Sequence, residues 1–214
     1  MRNKKILIIA IILLFTVVGF IGRWNSEKVE ARIKTNMDAI ANYETDVLVS
    51  SNPYDYINNE YYRAIVDMGM DAVEPLTNNY LNNSTSLNGY IAALAIIDIT
   101  DTKVSEIMGE DWETAQEFQK LWNELLQTMP SDFERILTTS NEPEKEIEKY
   151  GIFGEAFANK IREDSETVDF AGQCIEYESL QVNEDQLQHF IHEENSELRK
   201  AEEYVVKMQG VTRK

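Results

Sequence analysis

Residues 65–80 read IVDMGMDAVEPLTNNY, and the fold turns on the two breakers inside this run. Ile57, Tyr61, Ile65 and Met68 recur at helical spacing and define one apolar face. That helix is expected to stop at Gly69, because glycine enters left-handed backbone conformations without the Cβ penalty that other residues carry. Met70 and Asp71 then open a second helix, with Val73, Leu76, Tyr80 and Leu81 facing inward. Asp71 followed by Glu74 resembles a capping box, and Pro75 falls at or just past the first turn, where a missing N–H matters least. The stretch therefore predicts two antiparallel helices joined by a tight turn.

The flanking segments extend this pattern. From Ser26 to about Tyr43, Val29, Ile33, Met37 and Ile40 mark a stalk or first packing helix. VLVSSNPYDYINN (47–59) breaks the periodicity as a loop. SLNGYIAALAIIDIT (86–100) is the most apolar segment past residue 25, and its small Ala92, Ala93 and Ala95 permit close helix approach. DWETAQEFQKLWNELLQTMP (111–130) places Trp112, Ala115, Phe118, Trp122, Leu125 and Met129 on one face. Pro130 is expected to end that helix, and a short one capped by Ser131 with Glu134 to follow. No segment shows sustained period-two alternation, so no sheet is required.

An internal repeat is visible. MGMD (68–71) returns as MGED (108–111), and YGIFG (150–154) follows, with the glycines 40 and 42 residues apart. That interval is close to the roughly 40–47 residues of helix-pair solenoids. Before Gly151, Ile147 and Tyr150 stand as Tyr61 and Ile65 do in the first copy; after it, Phe153, Phe157 and Ile161 line a helix. FAGQCIEYESL (170–180) then parallels the alanine-rich helix. IVDMGMDAVEPL resembles the turn and second helix of a HEAT-like repeat. NPYDYINNEYYRAIVDMG, YIAALAIIDIT and FQKLWNELL are similar to segments of a group of uncharacterised secreted or membrane-anchored proteins of Gram-positive bacteria. The resemblance covers roughly residues 52–180 and implies a helical-repeat fold, with no activity attached to it. The third copy departs from the first in lacking a proline and in carrying Gly154 where the first has Ala72.

The N-terminus bears on compartment. ILIIAIILLFTVVGFIG (6–22) is an uninterrupted apolar run behind Arg2, Lys4 and Lys5, closed by Arg23 and Trp24. It sits at the lower length for a membrane span, and the leading basic residues predict a cytoplasmic tip with the remaining chain outside. Val17 and Gly19 make a poor cleavage site, so an uncleaved single-pass anchor is preferred to a signal peptide. All 38 acidic residues but only 16 of the 20 basic ones follow Arg23, leaving a formal net charge of about −22 beyond the membrane. Such a surface repels nucleic acid and anionic lipid. Cys174 is the only cysteine, so no intrachain disulfide forms.

The predicted architecture is an all-α, irregular HEAT-like helix-pair (α-solenoid) domain behind one N-terminal transmembrane helix. Its parts are a cytoplasmic tip and anchor (1–25), a stalk helix (26–50), the HEAT-like domain (51–182), and a C-terminal capping helix and tail (183–214). In the last of these, Asn183 is the expected cap. Leu187, Ile191, Leu198, Ala201, Val205 and Met208 follow heptad spacing, with self-association through 187–208 as the competing use of that face.

Few residues suggest chemistry. His189 and His192 are one helical turn apart beside Glu193, but the order matches no zinc-hydrolase motif and lacks a third ligand. Glu110 with Asp111 and Glu163 with Asp164 are acidic pairs in a chain where carboxylates are common. No nucleophile elbow, P-loop or dinucleotide fingerprint occurs. The reading is therefore no catalytic residue, no metal and no cofactor. Tyr54, Tyr56, Tyr61 and Tyr62 form the densest tyrosine cluster, beside a loop, and are the candidate partner-binding residues. The leading expectation is a membrane-anchored, extracytoplasmic scaffold for a protein or peptide partner. The rival is a cell-envelope hydrolase using carboxylates or the histidine pair.

Overall fold

The computed structural model describes residues 26–42, 53–81, 87–163, 167–168, 174–175 and 196–212. Within them the protein is all-α in character, with one antiparallel ladder of two residues per strand. The helices are α1 (26–41), α2 (Glu60–Val66), α3 (Met70–Asn79), α4 (Leu87–Thr100), α5 (Val104–Met108), α6 (Ala115–Thr139), α7 (Pro143–Glu148), α8 (Ile152–Glu163) and α9 (Ser196–Thr212). A 3-10 turn over Pro53–Tyr56 precedes α2. The ladder pairs β1 (Thr167–Val168) with β2 (Cys174–Ile175), Thr167 opposite Ile175 and Val168 opposite Cys174. The anchor run 6–22, Asn183, Leu187, His189, Ile191 and His192 lie outside the described residues. Among the described helices none is long and apolar enough to cross a membrane.

α4 is the hub. It is apolar around most of its circumference, as a helix packed on several sides must be, with Asp98 on the side left exposed. Ile91 through Ile96 are buried without a break, and α2, α3 and α6 all pack against it. Two of these neighbours revise the expected hairpin: α2 and α3 lie chiefly on α4 rather than on each other. The turn between them is tight, with Met68 N–H bonded to Ile65 O at 3.1 Å and Gly69 N–H to Val66 O at 2.9 Å. The recurring glycines behave alike. Gly69, Gly109 and Gly151 have φ of 59°, 68° and 54°, a region in which a Cβ is strained.

Several local expectations are corrected. Asp71 and Glu74 do not cap α3, whose N-cap is Gly69 without a side-chain bond. Instead Glu197 of α9 accepts the Met70 N–H at 2.7 Å, and Lys200 of α9 pairs with Asp71 at 2.9 Å and with Glu197 at 2.7 Å. Lys207 further down α9 pairs with Glu74. Asp71 in the first turn of α3 and Glu74 in the next thus face basic residues brought in from the far end of the chain.

Pro130 does not end its helix either. α6 runs 25 residues through it, because Leu125, Leu126 and Met129 before the proline and Phe133 and Ile136 after it continue one buried stripe. Proline removes the N–H that would bond the Leu126 carbonyl. Gln209 Nε2 of α9 donates to that carbonyl at 3.2 Å, which replaces the lost partner. Ser131, expected as a cap, donates to Thr128 O at 2.7 Å inside the helix. In 170–180, Cys174 and Ile175 are extended rather than helical. The β-branched Thr167, Val168 and Ile175 suit such a ladder.

The capping box of α6 lies at its other end. Thr114 Oγ1 accepts the Glu117 N–H at 3.2 Å, and Glu117 Oε2 accepts from Glu113 N–H at 2.8 Å and Thr114 N–H at 3.0 Å. Those backbone donors, Glu113 first, hold the Glu117 carboxyl below its ordinary value of 4.5. A carboxyl depressed in the folded state stabilises it above the unfolded pKa, and that contribution is lost as pH falls through the folded value. Thr114→Ala is expected to destabilise the protein by about 1 kcal/mol at neutral pH. In the same variant the Glu117 titration, followed by carboxyl NMR, should stay below 4.5, because the Glu113 and Thr114 backbone donors remain. A midpoint that rises to 4.5 would show that the Thr114 side chain is needed to hold those donors on the carboxylate.

α9 lies against α3, α6 and α8. Leu198, Ala201 and Val205 of its heptad face, and Tyr204 beside them, are buried in this packing. Tyr204 joins three helices through a directed chain of hydrogen bonds. Trp122 Nε1 of α6 donates to the Tyr204 hydroxyl at 3.2 Å, and that hydroxyl meets Thr77 Oγ1 of α3 at 3.2 Å. Thr77 in turn donates to Val73 O at 2.9 Å, so the Tyr204 hydroxyl is the donor toward Thr77.

Candidate functional site

The four candidate tyrosines are divided by the local backbone. The 3-10 turn over Pro53–Tyr56 sends Tyr54 outward, 56% exposed, and Tyr56 inward, 6% exposed. Asn59, itself buried, fastens this turn to the start of α2. Its Oδ1 accepts the Tyr62 N–H at 2.9 Å, and its Nδ2 donates to Tyr56 O at 2.6 Å. An asparagine N-cap suits that geometry, since its short side chain can bond the backbone on both sides of the helix start. Tyr61 is half-buried against the core, and Tyr62 is buried along its ring.

Tyr62 reaches across to α4, where its hydroxyl donates to Asp98 Oδ2 at 2.6 Å. Burial, and then the bond to Asp98, push the Tyr62 hydroxyl well above its ordinary pKa, so it remains a neutral donor. Asp98 is the single charged residue of α4 and stands on the exposed side of an otherwise apolar helix. Its bond to Tyr62 sets the spacing between α2 and α4 at this point.

A groove of about 530 Å³ opens between the 3-10 turn, α2 and α4. Tyr54, Ile57, Tyr62 and Val66 give it apolar walls, and Asn58, Arg63, Asp67 and Asp98 give it polar ones. The volume falls within the roughly 300–1,000 Å³ of ligand pockets. Of the four sequence candidates, Tyr54 and Tyr62 line the groove, whereas Tyr56 and Tyr61 pack behind it. Arg63 is turned toward Asn58, its guanidinium 3.3 Å from Oδ1.

Tyr90 is a neighbour of Tyr54; burial first, and then Tyr54, push the Tyr90 hydroxyl above its ordinary pKa. Below Tyr90 a series of aromatic contacts enters the core: Tyr90 to Trp112 at 4.9 Å, Trp112 to Phe118 at 5.0 Å, and Phe118 to Trp122 at 5.9 Å between ring centroids. Spacings of this order are those of favourable aromatic pairs.

A second cavity, about 290 Å³, lies between α1, α3 and α9. Four of its charged lining residues, Asp71, Glu74, Lys200 and Lys207, pair across the cavity, which makes it the seam along which α9 docks. Glu110 and Asp111 are both exposed, in the link before α6. Among the described residues no group of three or more His, Cys, Asp or Glu is placed to hold a metal.

Asp98, Asp67 and Val66 were not among the sequence candidates. A signal for Asp98 was present: one carboxylate within YIAALAIIDIT is costly to bury and so marks the edge of an apolar helix that meets solvent. Comparison with protein-family models, with curated proteins and with solved structures finds no match for this chain.

Proposed function

We propose that the protein is a membrane-tethered, extracytoplasmic scaffold of HEAT-like helical-repeat character, and that its tyrosine-lined groove receives a protein or peptide segment. The observation that carries this reading is Tyr54: a large aromatic ring, 56% exposed, at the mouth of a groove with apolar walls. Exposed aromatics at grooves are the side chains that anchor partners most often, because their area is large and few torsions are frozen on binding. The apolar run 6–22 supports the tether, and the acidic balance beyond it suits a surface that meets protein rather than nucleic acid. The recurrence of positive-φ glycines at 69, 109 and 151 supports the repeat.

The test uses a photoreactive amino acid in intact cells, placed at position 54 and, as a control, at exposed Glu134 on α6. Discrete crosslinked species are expected from position 54 and not from 134. Tyr54→Ala in the full chain should lower recovery of those species about tenfold, the effect of losing an aromatic anchor. Its thermal midpoint should stay close to that of the parent, since a surface truncation changes stability by only about 0.5 kcal/mol. Identical labelling from the two positions would remove the groove from consideration.

A further inference from the structure

We infer that the occupant of the tyrosine groove is a peptide segment presenting a Lys or Arg side chain beside an apolar residue. This rests on the groove being a binding site, and adds the chemistry of its partner. Two observations converge on it. Tyr54 and Val206 are the exposed large hydrophobics of the described residues, and only Tyr54 lines a groove. The same groove carries Asp67 on the α2 side and Asp98 on the α4 side, both exposed.

Among the described residues neither carboxylate has a cationic partner, although seven other ion pairs are formed elsewhere. Asp98 uses Oδ2 for the Tyr62 hydroxyl, which leaves its negative charge in place. Arg63, four residues before Asp67 and well placed along the helix to neutralise it, is directed to Asn58 instead. The groove thus joins apolar walls and an aromatic face to two carboxylates outside any ion pair, with the one guanidinium of its lining, Arg63, turned to Asn58.

A Lys or Arg side chain matches that combination. Its aliphatic stem lies along Val66 and Ile57, its head meets Asp67 and Asp98, and a neighbouring apolar residue packs on Tyr54. The formal net charge of −18 over the whole chain acts in the same direction: it draws a basic segment toward the surface and repels an acidic one. It equally repels a second copy of this chain.

The test takes the full chain in detergent micelles and selects from a displayed library of random dodecapeptides. The best-enriched peptide, labelled with fluorescein, is titrated by anisotropy against the parent, Tyr54→Ala, and the double variant Asp67→Asn with Asp98→Asn. Asparagine keeps an acceptor for Tyr62, so the fold of the double variant is preserved, and its circular dichroism and thermal midpoint confirm this. Enriched peptides are expected to carry Lys or Arg next to Leu or an aromatic. The double variant should raise Kd by about tenfold or more and flatten its salt dependence, since charge complementarity is what salt screens. Neutral or acidic peptides, or an unchanged Kd in the double variant while Tyr54→Ala still loses binding, overturn the cationic partner and leave the groove standing. Binding indifferent to Tyr54, or no enrichment at all, overturns both.

Discussion

Gly151→Ala is expected to destabilise the protein by about 2–5 kcal/mol, combining left-handed strain of about 1–2 kcal/mol with overpacking of about 1–3 kcal/mol. Both parts follow from the turn between α7 and α8. Gly151 has φ +54°, and a Cβ there would press into the Thr100 carbonyl and stand 2.6 Å from the carbonyl carbon of Asp101. Those atoms cannot move aside easily, because the link after α4 is fastened to the same turn. Lys103 N–H bonds Lys149 O at 2.8 Å, and Thr102 Oγ1 donates to Tyr150 O at 3.2 Å.

The other two glycines supply the internal control. Gly109 has φ +68° and open space around its Cβ position, so Gly109→Ala carries the conformational part alone, about 1–2 kcal/mol. At Gly69 the obstacle is the end of the Glu197 side chain, which can swing away at the expense of its bond to Met70. The expected order of effect is therefore 109, then 69, then 151, read as thermal midpoints by circular dichroism. At about 2–4 °C per kcal/mol for a chain of this size, Gly151→Ala should lower the midpoint by roughly 4–20 °C. Equal losses at 109 and 151 would show that backbone conformation alone matters and that the close approach is unimportant.

The same glycines mark what the sequence could reveal. A positive φ has a local cause, so its demand for glycine is written at the position itself, and the recurrence at 69, 109 and 151 was readable. The extent of α4 was readable for a similar reason: an unbroken apolar run needs burial wherever it lies. Pro130 was misleading because its remedy is remote. The carbonyl it strands is met by Gln209, 83 residues after Leu126. The start of α3 misled in the same way, since its cap, Glu197, is 127 residues away from Met70. At the candidate site, composition showed a tyrosine cluster, but only the phase of the 3-10 turn separates outward Tyr54 from inward Tyr56. Asp67 and Asp98 join the groove through the packing of α2 on α4, which no spacing along the chain expresses.

Trp122→Ala should be about as damaging as Gly151→Ala, at about 3–5 kcal/mol, the usual range for deleting a large buried aromatic. Trp122 is fully buried, with Phe118 and Phe153 each 5.9 Å away between ring centroids. Its removal opens a cavity where α6 meets its neighbours, and it also takes the donor from the Tyr204 hydroxyl. Two gentler substitutions separate volume from hydrogen bonding. Trp122→Phe keeps much of the ring and loses the N–H. Tyr204→Phe keeps the ring of α9 and leaves the buried Trp122 N–H without its acceptor, at about 1–3 kcal/mol. In the Trp122→Phe background no donor is left stranded, so Tyr204→Phe should cost less there than it does alone. The double-mutant cycle, measured by denaturant unfolding, is expected to show a coupling of about 0.5–3 kcal/mol. Strict additivity would mean that Trp122 and Tyr204 contribute through packing alone, and that the polar chain from α6 through α9 to α3 does not hold the three helices in register.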